Sequence, residues 1–319
     1  MIETLYIEEN IIDHPRVNKI KKRYPQASII TCKKYTEVFN RNGQNFRLQK
    51  IKPALILAEK TNTFVHPIPK AFAVGAEQNF YFSHLLNCPF DCSYCFLQGM
   101  YKSANYVLFI NFEDYQKEIA ETIRKNSGHS CTFFSGYDGD SLALEAVTNF
   151  LDEFLPFFEK FPKVELEIRT KSINIRHLLS RKPLENVIVA YTLNPTIIAQ
   201  TLEKKAPPLT HRLEAIKKLQ SHGYKIGLRF DPVIYCQNYQ HIYSDFFSEV
   251  FQTIDLEKFH SASLGPFRMP KGVEKQMVKI MPNSPLLASV QKESILTFCE
   301  QQIKNYIPQE KLFLCYAQS

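Results

Sequence analysis

The amino-acid sequence predicts an α/β protein with a partial (βα)6 barrel that follows an irregular α/β N-terminal extension. The first observation is that strand-like apolar runs alternate with amphipathic, helix-like runs from about Asn79 onward. Such alternation is typical of parallel strands joined by right-handed crossovers, and six such units make an incomplete barrel. The second observation is a cluster of three cysteines after the first strand-like run. Parallel α/β folds place reactive side chains at such carboxyl ends of strands.

The chain divides into three predicted regions. Residues 1–75 form the N-terminal extension, because their apolar runs are short and separated by polar and basic stretches. Residues 76–270 form the barrel that carries the cysteine cluster. Residues 271–319 form a helical cap and a final strand.

Hydrophobic periodicity places the elements of the barrel in order. Asn111 is the expected N-cap of the first helix, and Gly223 is the expected residue just past the end of the third. The predicted strands are Asn79–Leu86, Cys131–Ser135, Val164–Thr170, Val187–Thr192, Lys225–Asp231 and Phe259–Leu264. The predicted helices are Phe112–Lys125, Leu142–Phe158, Leu209–His222 and Tyr239–Ile254.

Composition sets outer limits on the function. The 319 residues are 45% hydrophobic, enough for a sizeable core, and the net charge of +7 fits a phosphate-bearing partner without requiring one. We expect no membrane span, because no apolar stretch approaches the roughly 18 residues that crossing requires. The acidic start, MIETLYIEEN, does not resemble a signal peptide. A cytoplasmic location is therefore expected, and there eight cysteines would not form a disulfide framework.

The cysteine cluster has the spacing C-x3-C-x2-C, with Cys88, Cys92 and Cys95 on one short loop. Three thiolates on a four-iron cluster would leave one iron open to a small molecule. A structural zinc site is one alternative, but zinc usually takes four ligands and no second cysteine pair follows. His84 could be the fourth ligand, although it lies within a predicted strand. The other alternative is three unrelated core cysteines, which the tight spacing disfavours.

This motif, with an aromatic residue before its last cysteine, resembles the signature of the radical S-adenosyl-L-methionine superfamily. The resemblance implies a [4Fe-4S] cluster whose open iron binds S-adenosyl-L-methionine, and cleavage of that cofactor to a 5′-deoxyadenosyl radical. It also implies the partial barrel of the radical SAM type.

Further segments are similar to the spore photoproduct lyase family. They are YIEENIIDHPRV near the start, RTKSINIRHLL from Arg169, AYTLNPTII from Ala190, and the P-x-x-x-R-x-x-A-x-x-x-x-x-x-x-G-Y run that begins at Pro208. The resemblance covers most of residues 1–280. It implies a carbon–carbon lyase that repairs a UV-induced pyrimidine lesion in DNA, with an electron donor such as flavodoxin or ferredoxin.

The resemblance also implies cofactor-binding residues at strand ends. Lys171 would face the carboxylate of S-adenosyl-L-methionine, and Thr192 and Ser135 would supply hydroxyl groups beside it. A cation and hydroxyls at strand ends suit a zwitterionic amino acid. The alternatives stay open at each position: a surface lysine, an ordinary strand threonine and a buried capping serine.

Four more residues receive roles from the same resemblance. Tyr94, before the last cluster cysteine, matches a tyrosine of the family's hydrogen relay and is the catalytic candidate. Asn194 and Arg229 are further candidates for the cofactor-binding rim. Arg212 is expected on a helix surface or in a salt bridge rather than against a ligand.

Three departures separate this chain from the lyases. The family's hydrogen-donor cysteine is missing from 134–140, where Gly136 lies near its expected place. Cys236 is either a replacement donor or a buried spectator. Phe96 replaces the family's second relay tyrosine. The basic, aromatic hairpin that wedges into DNA is missing between MPNSPLLASVQ and the last helix. Gly265–Lys271, which is basic and aromatic, could face phosphate or form a turn.

These features leave three functional hypotheses. The first is a radical enzyme that repairs a pyrimidine lesion, which must be flipped out to meet the radical. The second keeps the radical chemistry but changes the substrate to a peptide, a modified nucleotide or a metabolite. The third is a non-catalytic protein that binds a cluster or metal.

Overall fold

The computed structural model describes residues 2–268, 286 and 293–316, and it contains two main β-sheets. The segment MPNSPLLASVQ, after which the sequence predicts that the DNA hairpin is missing, lies almost entirely outside the described residues. Within them, none of the helices has the length and apolar character needed to cross a membrane.

The first sheet has five strands in the order β2-β1-β3-β8-β6. Its pairs are parallel, except that β6 runs antiparallel to β8. The strands are β1 (Thr4–Glu8), β2 (Ser28–Cys32), β3 (Leu55–Ala58), β6 (Leu85–Leu86) and β8 (Tyr106–Phe109). The sheet is therefore not confined to residues 1–75. Its last two strands flank the cysteine loop, so the N-terminal sheet anchors that loop at both ends.

The second sheet has eight strands in the order β15-β14-β13-β11-β10-β9-β5-β4. Five of these contain predicted strands in full, β5 contains the first part of the predicted strand Asn79–Leu86, and the six follow the predicted order and are parallel to one another. The strands are β4 (His66–Pro67), β5 (Gln78–Phe82), β9 (Cys131–Ser135), β10 (Val164–Thr170), β11 (Val187–Thr192), β13 (Lys225–Val233), β14 (Phe259–Pro266) and β15 (Leu312–Leu314). A separate two-stranded ribbon consists of β7 (Asp91–Cys92) and β12 (Glu203–Lys204).

The eight-stranded sheet is strongly curled. Glu165 of β10 accepts a hydrogen bond from Thr132 of β9 at 2.8 Å, and it pairs with His260 of β14 at 3.0 Å. Two strands lie between β10 and β14 in the sheet, so one glutamate meets both partners only because the concave face closes inward. The interior of a partial barrel is thus lined by the alternate residues of each strand.

Helices lie on the outside of the curled sheet and around the first sheet. They are α1 (Pro15–Arg23), α2 (Phe46–Ile51), α3 (Leu97–Met100), α4 (Phe112–Lys125), α5 (Glu145–Thr148), α6 (Phe150–Phe158), α7 (Arg176–Leu179), α8 (Thr196–Leu202), α9 (Leu209–His222), α10 (Tyr239–Thr253) and α11 (Glu293–Lys304). The bounds of α4 and α9 match the prediction. The C-terminal cap is α11, and the final strand is β15.

Two predicted elements are broken in the structure. The predicted helix Leu142–Phe158 is divided at Asn149, which has a left-handed φ of 48° and so interrupts the helical backbone. The predicted strand Asn79–Leu86 is divided between β5 and β6, which belong to different sheets. Asn111 does occupy the N-cap of α4, but its side chain bonds the backbone of Lys60 and the carboxylate of Asp114 instead of capping the helix.

Candidate active site

The cysteine loop is held by its own backbone and by the first sheet. Asn87 adopts a left-handed φ of 67° directly before Cys88, and its side-chain amide donates to the carbonyls of Ser103 and Asn105 at 2.8 and 2.7 Å. These bonds tie the beginning of the loop to its end. The ammonium of Lys50 donates to the Cys88 carbonyl at 3.2 Å, which fixes the loop from the side of α2.

The three thiols lie close enough to influence one another. Burial raises the pKa of Cys88, and the neighbouring Asp140, Cys95 and Cys92 raise it further. Burial likewise raises the pKa of Cys92 to about 12 and raises the pKa of Cys95, while Lys171 acts in the opposite direction on both. One buried and two half-buried thiols on a single loop suit a cationic centre that binds them as thiolates.

The donor set fits an iron–sulfur cluster better than zinc. A structural zinc site usually takes four ligands, and the cysteine loop offers three thiols. A four-iron cluster makes no such demand, because each cysteine binds a different iron. The proposed fourth zinc ligand, His84, is fully buried and stacks on Phe150 with 4.3 Å between ring centroids. Its ring is thus part of the aromatic core.

A two-stranded ribbon fastens the middle of the cysteine loop to the barrel. Cys92 of β7 is paired with Glu203 of β12, and the Ser93 amide donates to the Leu202 carbonyl at 2.7 Å. Because β12 directly follows α8, the ribbon joins the loop to the segment after the fourth predicted strand.

Glu203 is the centre of a buried network behind this ribbon. Its carboxylate accepts hydrogen bonds from the Tyr94 hydroxyl and the Arg212 guanidinium, and from the Asn194 amide at 3.1 Å. Burial alone would raise the pKa of Glu203, but Lys171 and Arg212 outweigh it and lower the pKa. The network makes the loop, the end of β11 and helix α9 one unit.

The position of Arg212 decides between the two alternatives that the sequence left open, a helix surface and a salt bridge. It is 1% exposed, so the helix-surface alternative is wrong, whereas the salt-bridge alternative is confirmed by its pair with Glu203. It also donates to the carbonyls of Pro207 and Thr192, at 2.8 and 3.1 Å. Arg212, the arginine of the P-x-x-x-R run, therefore holds together the segments that lie behind the cysteine loop.

Lys171 lies where the sequence placed it, at the end of β10 and beside the thiols. Its ammonium is 5.5 Å from the centroid of the Tyr94 ring. Burial disfavours the charged form, but Cys92 and Glu203 outweigh that effect and raise the pKa of Lys171. The surface-lysine alternative does not fit these surroundings. The backbone amide of Lys171 donates to Asp140 at 2.7 Å, which fixes the end of the strand.

Asp140 is a structural residue that sequence reasoning missed. Its carboxylate also accepts from the Thr170 hydroxyl at 2.7 Å and from the amides of Leu142 and Ala143 at 3.0 and 2.9 Å. It thereby joins the loop after β9 to the end of β10. An aspartate two residues before a helical run was a detectable capping signal. Glu203 gave no such signal, because it stands beside two lysines and looks like a solvated charge.

The other predicted rim residues have varied surroundings. The Ser135 hydroxyl is buried and bonds the Ser141 hydroxyl at 2.8 Å and the Glu167 carbonyl at 3.1 Å, as a buried capping serine would. Thr192 lies at the carboxyl end of β11, as predicted, and is buried. Asn194 contacts the Tyr94 hydroxyl at 3.3 Å and so belongs to the network behind the loop.

Arg229 corrects a second prediction. It is fully buried inside the barrel, where it donates to Glu167 at 2.5 and 3.1 Å and to the Ser261 hydroxyl at 3.1 Å. Its guanidinium is committed to these partners and is not part of the rim. Gly227, two residues earlier in β13, leaves space for this guanidinium, because a Cβ added there would lie 2.8 Å from Nη2 of Arg229.

Two more sequence predictions concern the segments beyond β13 and β14. Cys236 packs against the hydrophobic core, where burial raises its pKa and its electrostatic neighbours are Cys299 and Tyr243. These surroundings favour the spectator alternative. Arg268 pairs with Asp231 at 3.5 Å and lies 4.3 Å above the Phe72 ring.

Comparisons with known proteins agree on one family. The family model described as spore photoproduct lyase matches residues 1–311. The spore photoproduct lyase of Bacillus subtilis is 21% identical over 297 residues, which are 89% of this chain and 83% of that protein. The enzyme of the same name from a Geobacillus species is 22% identical over 169 residues, covering 53% of this chain and 50% of that one.

Solved structures give the same result for the fold. A spore photoproduct lyase variant with bound AdoMet and dinucleoside spore photoproduct superposes with a TM-score of 0.84, at 16% identity, over 100% of this chain and 99% of the other. A spore photoproduct lyase complexed with dinucleoside spore photoproduct gives 0.83, at 16% identity, over 99% and 98%. The predicted partial barrel of the radical SAM type is confirmed by this likeness.

Proposed function

We propose that this chain, which belongs to the spore photoproduct lyase family, is a radical S-adenosyl-L-methionine enzyme that cleaves the spore photoproduct of DNA back to thymines. The observation that carries the proposal is the position of the Lys171 ammonium, at the end of β10, beside the Cys92 and Cys95 thiols of the cysteine loop. Family relatives bind AdoMet and the dinucleoside spore photoproduct in their structures, which supports the same ligands here.

In this proposal Cys88, Cys92 and Cys95 hold a [4Fe-4S] cluster. When bound, the cluster and S-adenosyl-L-methionine supply a 5′-deoxyadenosyl radical. Lys171 binds the cofactor carboxylate through a charge-assisted hydrogen bond, which is stronger than a neutral one. Thr192, at the adjacent strand end, contributes a hydroxyl to cofactor binding. Ser135 contributes indirectly, because its hydrogen bonds fix the loop after β9.

Tyr94 and Asn194 support this arrangement from beneath. The Tyr94 ring lies under the Lys171 ammonium, and its hydroxyl is bonded to Glu203. Burial and the Glu203 carboxylate raise the pKa of Tyr94 well above its usual value, so its phenol keeps its proton. We infer that Tyr94 acts in catalysis by keeping the ammonium in place, with Asn194 fixing both hydrogen-bonding partners.

A second candidate keeps the same radical chemistry and changes the substrate to a peptide, a modified nucleotide or a metabolite. The observation that favours it is that the sequence departs from the family at two positions expected to return a hydrogen atom to the substrate radical. Residues 134–140 contain no cysteine, and Phe96 has no hydroxyl to donate.

One experiment tests the first candidate directly. Anaerobically reconstituted protein is mixed with dithionite, S-adenosyl-L-methionine and the dinucleoside spore photoproduct, and 5′-deoxyadenosine and thymidine products are measured. Appearance of both is the expected result. Formation of 5′-deoxyadenosine without any repaired product would favour the second candidate, and intact S-adenosyl-L-methionine would contradict both.

Two further measurements refine the partners. Binding to irradiated DNA should weaken as salt is raised, because phosphate contacts release counterions. Replacing dithionite with a flavodoxin or a ferredoxin tests which protein supplies the electron.

A further inference from the structure

Four aromatic rings form a row that begins beside the cysteine loop. The ring of Phe96, which directly follows Cys95, lies 6.0 Å from the ring of Tyr137. Tyr137 stacks on Tyr81 with 4.2 Å between centroids, and Tyr81 stacks on His66 at 5.0 Å. Phe96 and Tyr137 are 44% and 43% exposed. The end of the row nearest the loop is therefore open to a substrate.

The backbone before Tyr137 explains why this side chain is presented. Gly136 has a left-handed φ of 78°, and an added Cβ would lie 2.5 Å from the Ser141 hydroxyl and 3.0 Å from the Arg169 carbonyl. A side chain at Gly136 would therefore be strained and crowded, and this position is poorly suited to a donor residue. The Ser135 hydroxyl is already bonded within the fold. Tyr137 is thus the first residue after β9 whose side chain is free to face the loop.

We propose that Tyr137 returns the hydrogen atom to the substrate radical, in place of a cysteine. The inference rests on the proposed function. The phenolic O–H bond breaks and a C–H bond forms on the product, which leaves a tyrosyl radical on Tyr137. One electron from the low-potential reductant that also reduces the cluster, together with one solvent proton, restores the phenol. One S-adenosyl-L-methionine is therefore consumed for each lesion repaired.

Other residues with a transferable hydrogen are less well placed. The Tyr94 hydroxyl is buried and bonded to Glu203. Cys131 is at the amino end of β9, the opposite end from Tyr137. Cys236 packs against the hydrophobic core, with Cys299 of α11 as an electrostatic neighbour. Tyr137 combines exposure, a phenol and a place next to the cysteine loop, and stacking on Tyr81 holds its ring in one orientation.

The first test reads substrate position without turnover. Cluster-loaded protein is kept without reductant and treated with tetranitromethane, and nitration at each tyrosine is measured by peptide mass spectrometry. Saturating dinucleoside spore photoproduct should protect Tyr137. Tyr239, which packs on Phe298 of α11, is the internal control and should react equally with and without substrate. Unchanged nitration of Tyr137 would overturn the assignment.

The second test follows the hydrogen itself. Phenolic hydrogens exchange with solvent, whereas the 5′-methyl hydrogens of deoxyadenosine do not. In deuterated buffer, the unmodified protein should place one deuterium in the thymidine products of each repaired lesion and form one 5′-deoxyadenosine per repair. Tyr137→Phe keeps the ring and its stacking, so it should fold normally and lose the deuterium, with excess 5′-deoxyadenosine per product. Tyr137→Cys should recover the label, because a thiol hydrogen also exchanges. Tyr239→Phe should behave like the unmodified protein.

The outcomes separate the two levels of the argument. Labelled product from Tyr137→Phe at the unmodified level, or unlabelled product from the unmodified protein, would overturn the role of Tyr137 alone. Absence of any repaired product from the unmodified protein would overturn the proposed function and the donor assignment with it.

Discussion

The two ends of strand β10 use charge in opposite ways. Glu165, Glu167, Arg169 and Lys171 alternate along the strand and share its concave face. At the amino end and in the middle, the glutamates are closed off by partners inside the fold: Glu165 by His260, and Glu167 by Arg229 and Arg169. At the carboxyl end, the Lys171 ammonium lies beside the Cys92 and Cys95 thiols of the cysteine loop.

The charges in the amino-terminal and middle parts of β10 stabilise the barrel, whereas the charge of Lys171 is available to a ligand. A buried carboxylate between two guanidinium groups has its hydrogen-bonding capacity used within the protein. The electrostatic partners of the Lys171 ammonium include Cys92 and Cys95 of the cysteine loop, so this charge lies beside the proposed cofactor site. Changes at the carboxyl end should therefore affect cofactors, whereas changes in the middle should affect stability.

The largest expected effect is at the cysteine loop. Changing Cys88, Cys92 or Cys95 to Ala should abolish the brown cluster and reduce iron from about four per chain to background, because the remaining thiolates cannot hold it. Iron content and visible absorption after anaerobic purification give the measurement. Cys236→Ala is the matched control and should keep its iron. Full iron in Cys88→Ala, or a zinc-only protein, would refute the cluster.

In the middle of the strand, Glu167→Gln should lower the free energy of unfolding by about 3–5 kcal/mol, because Arg229 would be left buried without its charge partner. Urea denaturation provides the value. Glu185→Gln is the control, since its carboxylate is 89% exposed and pairs with Lys225 on the surface. It should change stability by less than about 1 kcal/mol. Equal losses of unfolding free energy in the two variants would contradict a larger contribution from the interior pair.

Stability should also depend on acid through the same residue. Burial alone would raise the pKa of Glu167, but Arg229 and Arg169 lower it to about 2. Because the folded-state pKa lies below the ordinary value of 4.5, the unfolded chain takes up the proton first as pH falls. The contribution of Glu167 is complete above about pH 4.5 and is lost toward about pH 2. The stability gap between the unmodified protein and Glu167→Gln should narrow over that window, as urea titrations at several pH values would show. A constant gap would contradict the lowered pKa.

The smallest effect should come from the carboxyl end of the strand. Lys171→Ala should weaken S-adenosyl-L-methionine binding by about 1.5–3 kcal/mol, or roughly tenfold and upward, through loss of one charge-assisted hydrogen bond. Cluster content and stability should stay close to those of the unmodified protein. Equilibrium binding of the cofactor is the measurement, with Lys182→Ala as the surface control. Unchanged affinity would mean that this lysine does not bind the carboxylate.

The regular elements of the barrel could be read from the sequence because local pattern and tertiary position agree. The bounds of β9, β10, β11, α4 and α9 match their predictions. The predicted element bounds were wrong where the hydrophobic pattern of a segment does not record its position in the tertiary structure. The apolar run Asn79–Leu86 passes from one sheet to the other, and nothing local records that the second half pairs with β8. The helical period of Leu142–Phe158 continues through Asn149, although the backbone turns there.

The sequence by itself determined the spacing of the three loop cysteines, the strand order and the place of Lys171. Each depends on spacing along the chain or on the rule that parallel strands end at one edge. The tertiary structure alone decided which charges are closed inside the fold and which remain available. Arg212 and Arg229 are buried because Glu203 and Glu167 reach them from other segments. The Tyr137 ring lies 6.0 Å from the Phe96 ring, although the two residues are far apart along the chain. Such outcomes depend on contacts between distant residues, which no local pattern encodes.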